Sequence, residues 1–136
     1  GGGSAAGGAG SGGEGGGVGG GGGGVGGGGN VLFLTDASED PRERGLNYYT
    51  LVSSFPGEAA REVAAFVGSR GIGVVAVPRG RGRFTVTTLS GITGGEYRAN
   101  GARRRAIERA VADAGRAYEA EGGSTDFGDA FWDRLD

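Results

Sequence analysis

Three arginines set between glycines, Arg79-Gly-Arg-Gly-Arg83, and two adjacent tyrosines, Tyr48 and Tyr49, are the residues of this chain best suited to hold a ligand. A guanidinium is planar and permanently charged, and it can donate two parallel hydrogen bonds to a carboxylate or phosphate. Alternating Gly and Arg would put three of them on an exposed, mobile turn, where they either meet a ligand or keep the turn soluble. A tyrosine offers a flat face that stacks on a sugar or a base. Consecutive strand residues point to opposite faces, so one of Tyr48 and Tyr49 should lie in the core and the other outside. The outer one is either a ligand platform, plain strand filler, or covered by Val31–Leu34 or the C-terminal aromatics.

Bond-making chemistry has few candidates. The chain has no Cys and no His, which removes Ser-His-Asp and Cys-His nucleophile systems, thiolate or imidazole metal sites and disulfides. All 14 basic residues are Arg. Without Lys there is no Schiff-base chemistry and no phosphate-loop lysine. An all-Arg, Ala- and Gly-rich composition is what a GC-rich genome produces. Asp36, Glu39, Asp40 and Glu43 are acids of one loop that could meet a hard cation, but their spacing is not that of a calcium loop. No catalytic residue, metal ligand or cofactor is assigned, and the chain reads as a non-enzyme.

Residues 1–29 hold 21 Gly, with Ser, Ala, Glu14, Val18 and Val25 making up the rest. Such a stretch has no apolar area to offset glycine's backbone entropy, so it reads as a disordered, low-complexity tether spanning on the order of 30 Å. There is no Met, even at position 1, which suggests a fragment or a processed product. An anchor upstream would place the domain in the cell envelope or periplasm. No apolar run approaches the roughly 20 residues that span a bilayer.

Residues 30–123 carry the elements that must position the candidate residues. Val31–Leu34 is a short apolar strand, and a charged loop follows it to Gly45. Leu46–Phe55 alternates as a strand, with Leu46, Tyr48, Thr50 and Val52 on one face and Asn47, Tyr49, Leu51 and Phe55 on the other. Pro56-Gly57 breaks it. Ala59, Val63, Phe66 and Val67 form a helical stripe that stops between Gly68 and Gly71. Ile72–Val77 is a buried strand, the Arg-rich turn follows, and Phe84–Leu89 returns as a third strand. One long helix is expected from about Glu96 to Glu121, with Ile107, Val111, Ala114 and Tyr118 as its buried seam. The last segment, 124–136, reads as an acidic, aromatic tail. Strand, helix, hairpin, helix gives an α+β fold, a ferredoxin-like split βαββα sandwich with an antiparallel or mixed sheet, both helices on one face and the other face open.

Charge divides along the chain. Residues 61–116 carry 11 Arg against four acids, while both flanks are acidic and the net charge is −2. Besides the hairpin trio, Arg103, Arg104, Arg105 and Arg109 sit together on the long helix, where a solvated face balanced by the acidic tail is the plain reading. Phe127, Phe131 and Trp132 either fold back over a small core or dock a partner; a core of this size favours folding back.

The run Gly45-Leu-Asn-Tyr-Tyr-Thr-Leu-Val-Ser-Ser-Phe55, a helix, Gly71-Ile-Gly-Val-Val-Ala-Val77 and Arg83-Phe-Thr-Val-Thr-Thr88 resembles the sporulation-related repeat (SPOR) domain over residues 46–121. It is also similar to small proteins of planctomycete-type bacteria that share the Gly-Leu-Asn-Tyr-Tyr start. The resemblance implies a βαββαβ fold and a cell-envelope module that binds peptidoglycan glycan strands lacking stem peptides through the sheet face and nearby loops. On that reading Tyr48 or Tyr49 stacks and Arg79, Arg81 and Arg83 reach polar or charged groups. The chain departs from the pattern after Tyr118, where a tail takes the place of a closing strand and Val31–Leu34 is left to occupy that edge. Two alternatives stand beside it. One is an RRM-like nucleic-acid module, against which the acidic ends and net charge argue. The other is an assembly domain that pairs with a protein partner through a sheet edge or the Phe131/Trp132 tail.

Overall fold

The computed structural model describes residues 29–136. The tract assigned above to a tether lies outside the described residues except for Gly29, whose amide donates to the carbonyl of Gly68 at 2.7 Å. The elements are β1 (Val31–Phe33), a 3₁₀ turn (Ala37–Glu39), β2 (Asn47–Pro56), α1 (Gly57–Ser69), β3 (Val74–Gly80), β4 (Arg83–Thr88), α2 (Gly94–Ala99), α3 (Ala102–Ala120) and β5 (Phe131–Arg134).

One mixed sheet runs in the order β1-β3-β4-β2-β5. Only β1 and β3 are parallel; the remaining neighbours are antiparallel. β2 and β3, joined by α1, are separated by β4, as a helical crossover between strands of like direction allows. Setting β1 aside, β5-β2-β4-β3 with α1 and α3 on one face is a ferredoxin-like α+β sandwich. The core lies between the helices and this face: Val63, Ala64 and Val67 of α1 and Val111, Ala114 and Tyr118 of α3 meet Leu51, Val52, Val74, Ala76 and Val86. The opposite face has a small cluster of its own, Leu34, Val75, Val77 and Leu89.

Four sequence expectations are corrected. The segment 124–136 is no tail: β5 pairs antiparallel with β2, placing Trp132 opposite Tyr49 and Phe131 opposite Thr50. It closes the sheet at the edge where a final βαββαβ strand belongs, and β1 takes the far edge. The return is made by Phe127, which is buried and stacked on Tyr118 with ring centroids 5.7 Å apart. The single long helix is two, because Asn100 sits in the left-handed region at φ 52° and Gly101 starts α3 afresh. α2 has its own start signal, a capping box in which Thr93 and Glu96 satisfy each other's amides. α1 continues through Gly68, which is buried because β1 crosses it: a Cβ there would collide with Val31. Finally, strict alternation fails in β2. Register shifts between Thr50 and Val52 and between Val52 and Phe55 add extra residues against β4, so Val52 turns to the helix side while Tyr48 and Thr50 do not.

Candidate functional site

The hairpin between β3 and β4 closes with two residues, Arg81 and Gly82, both at positive φ (57° and 71°). Two-residue hairpin turns favour this conformation because its twist matches the strands, and they normally fill it with Gly, Asn or Asp. Arg81 is therefore the wrong residue for its backbone, and it is exposed at the tip. It makes no hydrogen bond or ion pair among the described residues. The turn is tight, so of the three arginines only Arg81 sits on it, while Arg79 and Arg83 belong to strands. Both project onto the sheet face opposite the helices. Arg79 Nε donates to Thr85 Oγ1 at 2.9 Å, and that hydroxyl donates on to the carbonyl of Ser53 at 2.9 Å. Arg83 Nε donates to Ser54 Oγ at 3.1 Å and its Nη2 to the Ser54 carbonyl at 2.7 Å. The doubled residues of the β2 bulges bring Ser53 and Ser54 out beside them. The result is an exposed, polar, basic end of the sheet: Arg79, Arg81, Arg83, Ser53 and Ser54.

The rest of that face is not open. The loop 35–46 runs across it as a strap. Arg42 lies beneath the strap with its side chain 6 % exposed, held by Asp40 through Nε at 3.0 Å and Nη2 at 2.8 Å. Its Nη1 donates to Thr87 Oγ1 at 3.2 Å, and its guanidinium carbon lies 5.3 Å from the centre of the Tyr48 ring. Burial opposes ionisation of Asp40, but the hydrogen bonds and charge of Arg42, helped by Arg79, hold its carboxyl below the ordinary value. Tyr48 is 2 % exposed, and its hydroxyl accepts from the Glu43 amide at 2.7 Å. Of the two tyrosines expected to stack on a ligand, Tyr48 is thus sealed by the charged loop and not by Val31–Leu34 or the C-terminal aromatics. Two further acids of that loop are engaged locally: Glu39 accepts from Thr35 and the Asp36 amide, and Asp36 from the Ser38 amide.

Tyr49 points the other way and is half-buried against Trp132, with ring centroids 4.8 Å apart. Burial, and then the charge of Glu108, pushes its phenol up. Trp132 Nε1 donates to Glu108 Oε2 at 2.8 Å, and Arg104 Nε donates to the same oxygen at 2.9 Å while stacking over Tyr97. Tyr49 is accordingly part of the joint that fixes β5 against α2 and α3. No family model matches this chain, and no curated protein or solved structure is detectably similar to it. Function must therefore be read from the two basic clusters themselves.

They differ in kind. On the helices, Arg104 donates to the Tyr97 carbonyl and Arg105 to the Asn100 carbonyl, which caps the end of α2, while Arg103 reaches the Gly91 carbonyl and Glu96. Those guanidiniums hold the fold together. The hairpin trio forms no direct ion pair among the described residues, although Arg79 acts on Asp40 at longer range, and it stands at an exposed end. The expected fold-back of the C-terminal aromatics is what Phe127 and Trp132 do, but the pairing of Trp132 with Tyr49 and the burial of Arg42 gave no periodic signal, one lying in an acidic segment and the other being one of two arginines among four loop acids. Among the described residues no helix is long and apolar enough to cross a membrane.

Proposed function

We propose that this chain is a non-enzymatic binding module of SPOR type, acting at the bacterial cell envelope and recognising peptidoglycan glycan strands through Arg79, Arg81 and Arg83 with Ser53 and Ser54. The observation that carries this reading is Arg81, a non-glycine residue kept at φ 57° on a turn where Gly or Asn would cost less. Strain of that kind is retained where the side chain is used. The closing strand β5 removes the departure from the βαββαβ pattern noted in the sequence, which supports the resemblance. Taking the stem peptide off a muramic acid leaves a carboxylate on the sugar, and a guanidinium fork is built for a carboxylate. The serines add neutral donors and acceptors for hydroxyl and acetamido groups.

Co-sedimentation of the chain with peptidoglycan sacculi tests this, with and without prior amidase treatment and at low and high salt. Pelleting that rises after amidase treatment is the expected result; no pelleting in any condition ends the reading.

A second reading, edge-to-edge assembly, is favoured by the exposure of Val31 (42 %) and Leu32 (37 %) on the terminal strand β1 and of Phe131 (46 %) on β5. It predicts a mass that rises with concentration. RRM-like recognition draws no support, because it needs exposed aromatics on the sheet and Tyr48 is sealed.

A further inference from the structure

The strap is unusual in how it is held. A segment that belongs permanently to a core is anchored by apolar side chains, yet of residues 35–46 only Asp40, Arg42 and Leu46 are partly buried, and Leu46 is the one apolar residue among them. Over the two strands its grip is polar: Arg42 to Thr87, the Glu43 amide to the Tyr48 hydroxyl, and the Asp40–Arg42 pair that keeps the guanidinium in place, while its far end is tied by the Gly45 amide to the Leu135 carbonyl and by the Leu46 carbonyl to the Leu135 amide. What it touches also has the character of a contact surface. Tyr48 and Thr87, with Thr50 and Thr85 beside them on β2 and β4, are buried polar or amphipathic residues, where a face built only for burial would carry residues like Val75 and Val77 of the neighbouring strand. Arg79, on the same face, adjoins the basic hairpin end.

We propose that the strap 35–46 is a displaceable, autoinhibitory cover: breaking the Asp40–Arg42–Thr87 clasp frees Tyr48 and Thr87 to extend the hairpin patch into a longer ligand-binding face, with Tyr48 stacking on a sugar ring. The ligand in this statement rests on the proposed function; the opening does not. An incoming carboxylate competes with Asp40 for arginine, so that binding at the hairpin and release of the strap reinforce each other.

The test is site-resolved tyrosine nitration of the full chain, read by mass spectrometry, with Tyr118 behind the helices as the internal reference. Asp40→Asn and Arg42→Ala are compared with Arg44→Ala, which removes only a bond to the Asp136 carbonyl. Loss of a charge-assisted clasp is expected to raise Tyr48 nitration on the order of tenfold or more in the first two variants. Tyr118 nitration should stay near the wild-type value even though losing the clasp lowers the unfolding midpoint, and Arg44→Ala should behave as wild type. An unchanged Tyr48 rate overturns the proposal, and so does a rise of Tyr48 and Tyr118 together, because that is global loosening. If no form of the protein pellets with glycan, the proposed function falls while the opening is judged on nitration alone.

Discussion

The indole nitrogen of Trp132 lies 2.8 Å from Oε2 of Glu108 and donates to it, so that the last strand of the sheet is fastened to the middle of α3 by one bond. The same ring packs on Tyr49. These contacts add side-chain packing to the backbone pairing of β5 with β2.

Replacing Trp132 by Phe removes the bond and keeps most of the packing. The expected cost is about 1–1.5 kcal/mol, below the full value of a charged hydrogen bond because Glu108 is one-third exposed. Trp132→Ala should cost roughly 2–3 kcal/mol, since stacking goes as well. Trp132 is the only tryptophan, so unfolding must be followed by far-ultraviolet circular dichroism in denaturant. Equal midpoints for wild type and Trp132→Phe would show that the bond contributes nothing.

Acid should loosen two joints. For Glu108, burial alone would raise the pKa, but the bonds from Trp132 and Arg104 prevail and hold it below the ordinary 4.5; Asp40 is held below 3.8 by Arg42 against the same opposition. A carboxylate with a depressed folded pKa stabilises fully above its unfolded value and loses that contribution as pH falls through the folded one. Stability is therefore expected to be flat above about pH 5 and to fall below the two ordinary values. Glu108→Gln and Asp40→Asn should each flatten the acid limb of a midpoint-versus-pH curve. A variant whose acid limb matches wild type contradicts the assignment for its residue.

Gly115 is where α3 receives the returning chain. A Cβ there would collide with the backbone carbonyl of Asp126, a group with no rotamer to retreat into. Ala is the better helix former by about 1 kcal/mol, but overpacking against backbone costs more. Gly115→Ala is expected to lose a net 1–2 kcal/mol, about 4–10 °C in melting temperature for a domain of this size, and to speed amide exchange in β5. A stabilised variant would mean that the 124–128 turn is not docked in solution as described.

What the sequence revealed depended on the range of the interaction. Hairpin, crossover helix and the Val111-Ala114-Tyr118 seam follow from local periodicity, and all three are present. The strand in 124–136 was missed because an edge strand of four residues with Asp133 and Arg134 exposed shows no alternation. Its partner Tyr49 is more than 80 positions away. The split of the second helix was legible in Asn100-Gly101, a pair that favours a left-handed stop, but the apolar seam hid it. Val52 could not be placed from alternation, because a bulge is a property of two strands and not of one. The hairpin arginines were singled out from their alternation with glycine, and their exposure follows from it. Tyr48 was singled out too, but its burial was not foreseen, since a charged loop that folds back over a sheet through one buried ion pair looks like any solvated loop.

Arg81 separates function from stability. In the left-handed region an arginine costs on the order of 1 kcal/mol relative to residues that adopt it readily. Asn accepts that backbone, and no hydrogen bond or ion pair from Arg81 within residues 29–136 would be lost. Arg81→Asn is therefore expected to raise stability by a few tenths to about 1 kcal/mol while weakening retention on amidase-treated sacculi about tenfold, the value of one charge-assisted contact. Arg83→Ala should weaken retention as well, but with a small loss of stability, because it abandons Ser54. Arg109→Ala, on the exposed helix face, serves as the charge-matched control and should leave retention within about twofold. If Arg81→Asn and Arg109→Ala reduce retention equally, the protein is responding to net charge and the hairpin has no special part in recognition. If Arg81→Asn alone loses binding while gaining stability, the strain at the turn is explained by the ligand it serves.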